Sequence, residues 1–475
     1  MGVKENARNI AIKEGIKFLK KDFDKNAPVL IDRGIKLVND PLKVKALEGL
    51  KAGLQRPDNM WAGYAKKIVE YTDESVMLKL VEPLYNMFVA AYDKRIAAFK
   101  KYDCNIPWAI LIDLTTACNL KCTGCWASEY GKAKFISNEV LQKIVDEGRE
   151  IGTYLYLFTG GEPLVRKKDL IQICENNPDC LFISFTNGTL CDDEFADEVK
   201  RVGNLWLTMS IEGNEETTDA RRGKGTYKAV TAAMARLKER GVPFGASLCC
   251  TKYNSDVIAS DEYADFLIDL GILFAWYFTF VPVGADSTPE LMSTAEQRKF
   301  LYDQVRKWRF EKGKQKPLFT IDFFNDGEYV GGCIAGGKQY FHINPNGDCE
   351  PCVFCHYSSV NINDSHIIDA LQSPIFMAYR KRQPFSDNML RPCPIMDNPG
   401  AIKKMVRETG AASTDISSPE AVEDLAAKTV NAAKEWKVVA DELAEEHGFI
   451  KNRLRSIDFY RDLEENRLKD FDEFG

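Results

Sequence analysis

Ala117-Cys118-Asn119-Leu120-Lys121-Cys122-Thr123-Gly124-Cys125-Trp126 holds three cysteines at CxxxCxxC spacing, with an aromatic residue directly behind the third. Zinc patterns usually pair a CxxC with a second ligand pair further along the chain. Three thiolates from one tight loop suit three irons of a [4Fe–4S] cube, and they leave the fourth iron open for a substrate or cosubstrate. With 14 cysteines in 475 residues, such a triplet arises by chance in about one chain in eighty. The run Trp108-Ala109-Ile110-Leu111-Ile112-Asp113-Leu114 just before it reads as a buried strand.

A cysteine triplet in the loop after a strand resembles the signature of the radical S-adenosylmethionine (radical SAM) superfamily. The surrounding pattern agrees. Residues 109–283 alternate strand and helix signals, which implies a parallel sheet with crossover helices. Strands are expected at Ala109–Leu114, Tyr154–Phe158, Leu181–Thr186, Leu205–Ile211, Pro243–Cys249 and Phe274–Val281. Helices are expected near Asn138–Ile151, Lys168–Glu175, Asp193–Val202, Tyr227–Glu239 and Asp261–Leu270. Six β/α units match the partial TIM-type barrel of that family, so the expected fold class is α/β. Chemistry in such folds sits at the C-terminal ends of the strands.

The informative residues fall at those ends. After the second strand comes Thr159-Gly160-Gly161-Glu162-Pro163, two glycines for close backbone approach beside one carboxylate. By the resemblance, Gly160, Gly161 and Glu162 meet the amino group of SAM. After the third strand, Asn187 in Thr186-Asn187-Gly188-Thr189 is either a plain turn residue or, by the resemblance, a neighbour of SAM. The fourth strand ends Ser210-Ile211-Glu212-Gly213. The resemblance assigns Ser210, Glu212 and Arg222 to the ribose or the SAM carboxylate, with Arg222 offering a fork. Ser247, Thr251 and Asn254 are candidates for the adenine pocket.

A second cysteine group lies at Cys333, Cys349, Cys352, Cys355 and Cys393. Asn344-Pro345-Asn346-Gly347 reads as a tight turn between two short strands. Thirteen residues separate Cys333 from Gly347, and four separate Gly347 from Cys352. This resembles the opening of the SPASM/twitch motif, which binds auxiliary [4Fe–4S] clusters in radical SAM enzymes. The full motif has more spaced cysteines than this chain supplies. The simplest expectation is one auxiliary cluster on Cys333, Cys352, Cys355 and Cys393, with Cys349 and His356 as rival fourth ligands. A tetrahedral zinc site on Cys349-x2-Cys352-x2-Cys355-His356 is the competing reading.

The flanks carry no motif. Residues 1–108 read as a helical domain with breaks at Asn39-Asp40-Pro41 and Arg56–Asn59, and with Pro83 opening a helix. Ile10–Leu19 is basic and amphipathic, which allows peripheral membrane contact beside the plainer role of a packed helix. The expected division is a helical domain at 1–108, the barrel at 109–290, a Cys-rich auxiliary-cluster domain at 291–400 and a helical tail at 401–475. A net charge of −7 argues against a nucleic-acid partner. The charged start lacks an apolar h-region, and Asn6 departs from a myristoylation pattern; with many cysteines, this points to the reducing cytoplasm.

The resemblance implies reductive cleavage of SAM to methionine and a 5′-deoxyadenosyl radical, which takes hydrogen from a substrate. It also implies a low-potential electron donor such as ferredoxin or flavodoxin. The substrate stays open between a peptide or protein side chain and a lipid or small molecule. A non-catalytic iron–sulfur electron carrier or redox sensor also explains the cysteines but gives no reason for the Gly-Gly-Glu-Pro turn.

Overall fold

Apolar runs of six or seven residues, with β-branched and aromatic side chains, form strands that are buried at most of their positions, and at every position in Ala109–Thr115. In the computed structural model these are β1 (Ala109–Thr115), β2 (Leu155–Gly160), β3 (Leu181–Thr186), β4 (Leu205–Ser210), β5 (Phe244–Cys250) and β6 (Phe274–Thr279). The structure describes residues 3–447 except 37, 39–40, 57–58, 129–133, 285–286 and 416. Amphipathic helices cross between the strands, among them Asn138–Ile151, Asp193–Val202 and Asp261–Leu270, within a residue or two of expectation. Each is capped by a side chain: Ser137 accepts from Val140 N, Asp192 from Phe195 N and Ser260 from Tyr263 N.

The sheet is longer than six strands. β7 (Phe319–Asp322) pairs in parallel with β6, and β8 (Tyr340–Ile343) pairs in parallel with the far edge of β1. β9 (Cys349–Glu350) returns antiparallel on β8. The order is β7-β6-β5-β4-β3-β2-β1-β8-β9, a partial TIM-type barrel whose two end strands come from the Cys-rich region. The hairpin around Asn344–Gly347 was expected; the docking of its first strand on β1 was not. Four-residue strands carry too little alternation to declare a partner. A ribbon of β10 (Tyr357–Ser358) and β11 (Ala412–Ser413) closes the same region.

The N-terminal part is helical as expected, with helices from Val3–Lys21 to Ala91–Tyr102. Pro83 does not open a helix. The helix Glu74–Tyr85 starts on Asp73, whose side chain accepts from Ser75 N at 2.8 Å, and Pro83 lies in its last turns. Proline removes one ladder donor. The chain continues through a π-helical turn, Asn86–Ala90, into Ala91–Tyr102. This layer is tied to the barrel by Tyr71 Oη, which donates to Val242 O (2.9 Å), and by Asp73 N, which donates to Gly241 O (2.9 Å).

The helix Val422–Glu446 packs on Ala295–Phe310 around Tyr302, Leu390, Trp436 and Leu443. Trp436 Nε1 donates to Leu390 O (2.8 Å), and Arg298 stacks on the Trp436 ring at 4.1 Å while pairing with Asp397 (2.7 Å). Residues 448–475, the rest of the expected tail, lie outside the described residues. Among the described residues no helix is long and apolar enough to cross a membrane.

Candidate active site

The loop after β1 is fastened to the loop after β2. Gly161 N donates to Thr115 O (2.7 Å) and Glu162 N donates to Ala117 O (2.8 Å). A Cβ on Gly161 would stand 2.3 Å from Ala117 O, and one on Gly160 would stand 2.6 Å from Thr115 O. The two glycines therefore let the backbone pass against the residue just before Cys118. Thr123 N donates to Arg221 O (2.9 Å), which holds the other side of the cysteine loop on the helix after β4.

Glu162 is buried and fully engaged. Its carboxylate accepts from Leu164 N (2.8 Å), Thr186 Oγ1 (2.6 Å) and Asn187 N (2.8 Å), so it joins the ends of β2 and β3. Burial raises its pKa against those donors. Asn187 Nδ2 donates to Asn119 Oδ1 (2.9 Å), which brings the third strand end onto the cysteine loop. Ser210 reaches the same space from β4.

Glu212 lies behind that wall, with no exposed surface. It accepts from Arg221 Nη1 (2.6 Å), Arg222 Nε (2.7 Å) and Cys249 N (3.0 Å). Its pKa is lowered although burial opposes this, because two guanidinium groups face it. The Arg222 fork, expected to meet a cofactor carboxylate, is engaged by Glu212, and its Nη1 lies 3.9 Å from Cys122 Sγ. Arg221 was not singled out from the sequence. It lines the cavity, and its only sequence signal is its place beside Arg222. Thr251 and Asn254 bind each other and the Glu212 and Cys249 carbonyls instead of facing the cavity, whereas Ser247 lines it.

Cys118, Cys122, Cys125, Gly160, Gly161, Glu162, Asn187, Ser210, Arg221 and Arg222 thus converge on one cavity of about 780 Å³ at the C-terminal ends of the strands. Burial pushes the Cys118 thiol up to about 11 and raises Cys125. Thiols in that state release protons when they take up a metal. Among the described residues no three His, Cys, Asp or Glu side chains stand close enough to hold a single metal ion. A cube spreads its thiolates more widely than one ion does, and the three loop thiols opening on one cavity fit a [4Fe–4S] cluster, with Cys249 of β5 lining the same cavity beside them.

The second cysteine group lies under the same cavity, beyond Tyr340, Val353 and Phe354. The charges of Cys333 and Cys352 are felt at Cys393, and that of Cys352 at Cys355, which puts Cys352 at the centre of the group. Cys393 Sγ accepts from Ile395 N (3.4 Å) and Met396 N (3.3 Å), and Tyr340 Oη lies 2.9 Å from Cys352 Sγ. Burial raises the pKa of Cys349 on β9, and the charges felt there are those of Asp348, Glu350, Lys143 and Glu147 rather than of another cysteine. His356 has Nδ1 at 2.8 Å from Asp415 and Nε2 at 3.2 Å from Val353 O, which engages both ring nitrogens. The donor set of Cys333, Cys352, Cys355 and Cys393 fits an auxiliary cluster.

Trp126 stands between the two groups. Its ring lies 5.8 Å from His342 and 6.4 Å from Phe354. His342 is buried between Asp113 of β1 (3.1 Å) and Glu350 of β9 (2.6 Å). The two carboxylates outweigh burial and raise its pKa to about 10.

Comparison with known proteins agrees with this geometry. A family model described as the radical SAM superfamily matches residues 112–266, and one described as an iron–sulfur cluster-binding domain (SPASM) matches 333–394. The chain is 29% identical over 230 residues to an Fe-coproporphyrin III synthase of Methanosarcina barkeri, covering 46% of this chain and 57% of that protein. It is 28% identical over 266 residues to the mycofactocin maturase MftC of Mycolicibacterium smegmatis, covering 52% and 64%. The matched region spans less than two thirds of either relative. The structure of Streptococcus suis SuiB bound to S-adenosylmethionine superposes with a TM-score of 0.51 at 17% identity, covering 62% of this chain and 72% of that one, a likeness of fold.

Proposed function

We infer that the chain, which the radical SAM superfamily model matches over residues 112–266 and the iron–sulfur cluster-binding domain model over 333–394, is an enzyme that cleaves SAM reductively and removes hydrogen from an organic substrate. The observation that carries the reading is the convergence of the cysteine loop, the Gly-Gly-Glu turn, Asn187 and Ser210 on one cavity at the strand ends. Cys118, Cys122 and Cys125 would hold a [4Fe–4S] cluster, which would supply the low-potential electron for reductive cleavage of SAM to methionine and a 5′-deoxyadenosyl radical.

The chain's own residues orient and enclose. The backbone at Gly160 and Gly161 would meet the methionine half of SAM, and Glu162 fixes that turn through its three hydrogen bonds. Ser210 and Ser247 offer hydroxyls on the adenosine side. Arg221 and Arg222 place positive charge beside Cys122 and Cys125, and Glu212 holds both guanidinium groups there. Aromatic walls exclude water from the reacting end. An auxiliary cluster on Cys333, Cys352, Cys355 and Cys393 would stand on the other side of Tyr340 and Phe354. The partner this chemistry requires is a low-potential electron donor such as ferredoxin or flavodoxin. All 14 cysteines are free thiols, which favours a reducing cytoplasmic setting. The relatives include an Fe-coproporphyrin III synthase and a mycofactocin maturase, so the substrate class is left at an organic molecule with an unactivated C–H bond.

The test is anaerobic reconstitution, iron and sulfide analysis, then addition of SAM and dithionite with 5′-deoxyadenosine quantified. About eight irons per chain together with 5′-deoxyadenosine is the expected result. About four irons with 5′-deoxyadenosine removes the auxiliary cluster. Iron in a fully reduced protein that never cleaves SAM replaces the enzyme with an electron carrier.

A further inference from the structure

A closed eight-stranded barrel fills its axis with the inward side chains of its strands, whereas this sheet is open. Here the axis is hollow. The cavity that starts at Cys118 and Gly161 passes Leu157 and Ile183 in mid-strand and reaches Ala109, Leu155 and Leu181, the first residues of β1, β2 and β3. These three lie side by side in register. The cavity therefore runs the length of the strands, roughly 17–20 Å.

The far end is finished by the N-terminal helices, to which nothing so far assigns a role. Trp61 and Tyr64 come from the helix Met60–Tyr71, and Met87 and Phe88 from the π-helical turn. The Trp61 ring lies 5.6 Å from Phe319 at the start of β7, and Phe88 lies 6.2 Å from Trp108. Phe88 is 65% exposed and Phe310 51%, so this end presents an aromatic rim to solvent.

The lining is apolar for most of its length. Away from the SAM end its charged residues are Arg309 and Asp326, which close on each other through two hydrogen bonds of 2.8 and 2.6 Å. A peptide main chain would bring two polar groups per residue into walls with few partners for them. A ring bearing several carboxylates would bring charges without cations to meet them. A hydrocarbon chain requires only apolar area and the right width.

We propose that this shaft binds a long aliphatic chain, entering over the aromatic rim, with a carbon of the chain presented at the Cys118 end. The proposal rests on the reading above for its chemistry and on the shaft alone for its binding. Free fatty acids and membrane glycerolipids share the chain, and the experiment separates them.

The full-length protein, with and without reconstituted clusters, is titrated with cis-parinaric acid and followed by energy transfer from tryptophan. Saturated fatty acids of increasing length then compete. Affinity is expected to rise about fourfold per methylene until the chain fills the shaft, and then to level. Ile183→Trp, which blocks the shaft midway, should shorten the longest chain accepted while short acids still bind, a result a misfolded variant would not give. Leu157→Ala should not shorten it. Transfer of a parinaroyl chain from phosphatidylcholine vesicles assigns the membrane lipid; binding of the free acid without such transfer assigns the free acid. Failure of both, or a length limit that Ile183→Trp leaves unmoved, overturns the proposal. Assaying 5′-deoxyadenosine on the same samples keeps the two readings apart: chain binding without SAM cleavage removes the enzyme reading only, and cleavage without chain binding removes the shaft only.

Discussion

Gly161 has no room for a side chain, because a Cβ there would stand 2.3 Å from the backbone oxygen of Ala117. Gly161→Ala should push the cysteine loop away and cost about 1–3 kcal/mol of stability. Urea midpoints should fall, and less iron should be retained per chain after desalting. Cys122→Ala leaves two thiols in the loop and should abolish 5′-deoxyadenosine formation; an active variant would remove the loop from the cluster. At this scale much of the site was readable. The Gly-Gly-Glu-Pro turn announces a close backbone approach because few other sequences tolerate one. The engagement of the Arg222 fork by Glu212 was not readable, since the pair is separated by a helix whose direction the motif does not fix.

Among the elements, the pairing of β8 with β1 carries a buried ion triad, Asp113–His342–Glu350. Removing the imidazole would leave two buried carboxylates facing each other. His342→Ala should therefore cost about 3–5 kcal/mol. The folded protein holds the His342 proton to about pH 10, while an unfolded histidine releases it near 6.5. The stabilisation is fully present below about pH 6.5 and declines as pH rises, until it is lost near 10. Stability curves of wild type and His342→Ala should therefore converge on the alkaline side. The cysteine elements give a second contrast. Cys393→Ala should lower iron by about one cluster's worth, while Cys349→Ala should not. Equal losses would return Cys349 to the ligand set. The barrel strands and their helices were legible because their apolar periods are long. β7 was not, nor was the docking of the β8–β9 hairpin on β1, because two to four residues fit any edge.

At the scale of the whole molecule, the strands of the Cys-rich region close both edges of the barrel sheet. The proposed domain boundary near residue 290 therefore runs through a shared sheet. Calorimetry should give one cooperative transition for the barrel and the Cys-rich region together; two separated transitions would show that β8 contributes little. The sequence pattern announced a cysteine-rich extension from its spacing, but spacing does not say where an extension docks. The same holds for the hollow barrel axis. Inward positions such as Leu157 and Ile183 are the residues a filled core would use, so their pattern does not announce an open axis.

The seat of β8 also has a meaning in the order of biosynthesis. β1 leaves the ribosome early, yet one of its edges waits for a strand about 225 residues later. At roughly 5–20 residues per second that edge stays unpaired for about ten to forty-five seconds. Nascent chains stalled before Tyr340 should therefore be held by chaperones that cover strand edges, and chains stalled well past Glu350 should be free of them, as pull-down of stalled ribosomes would reveal.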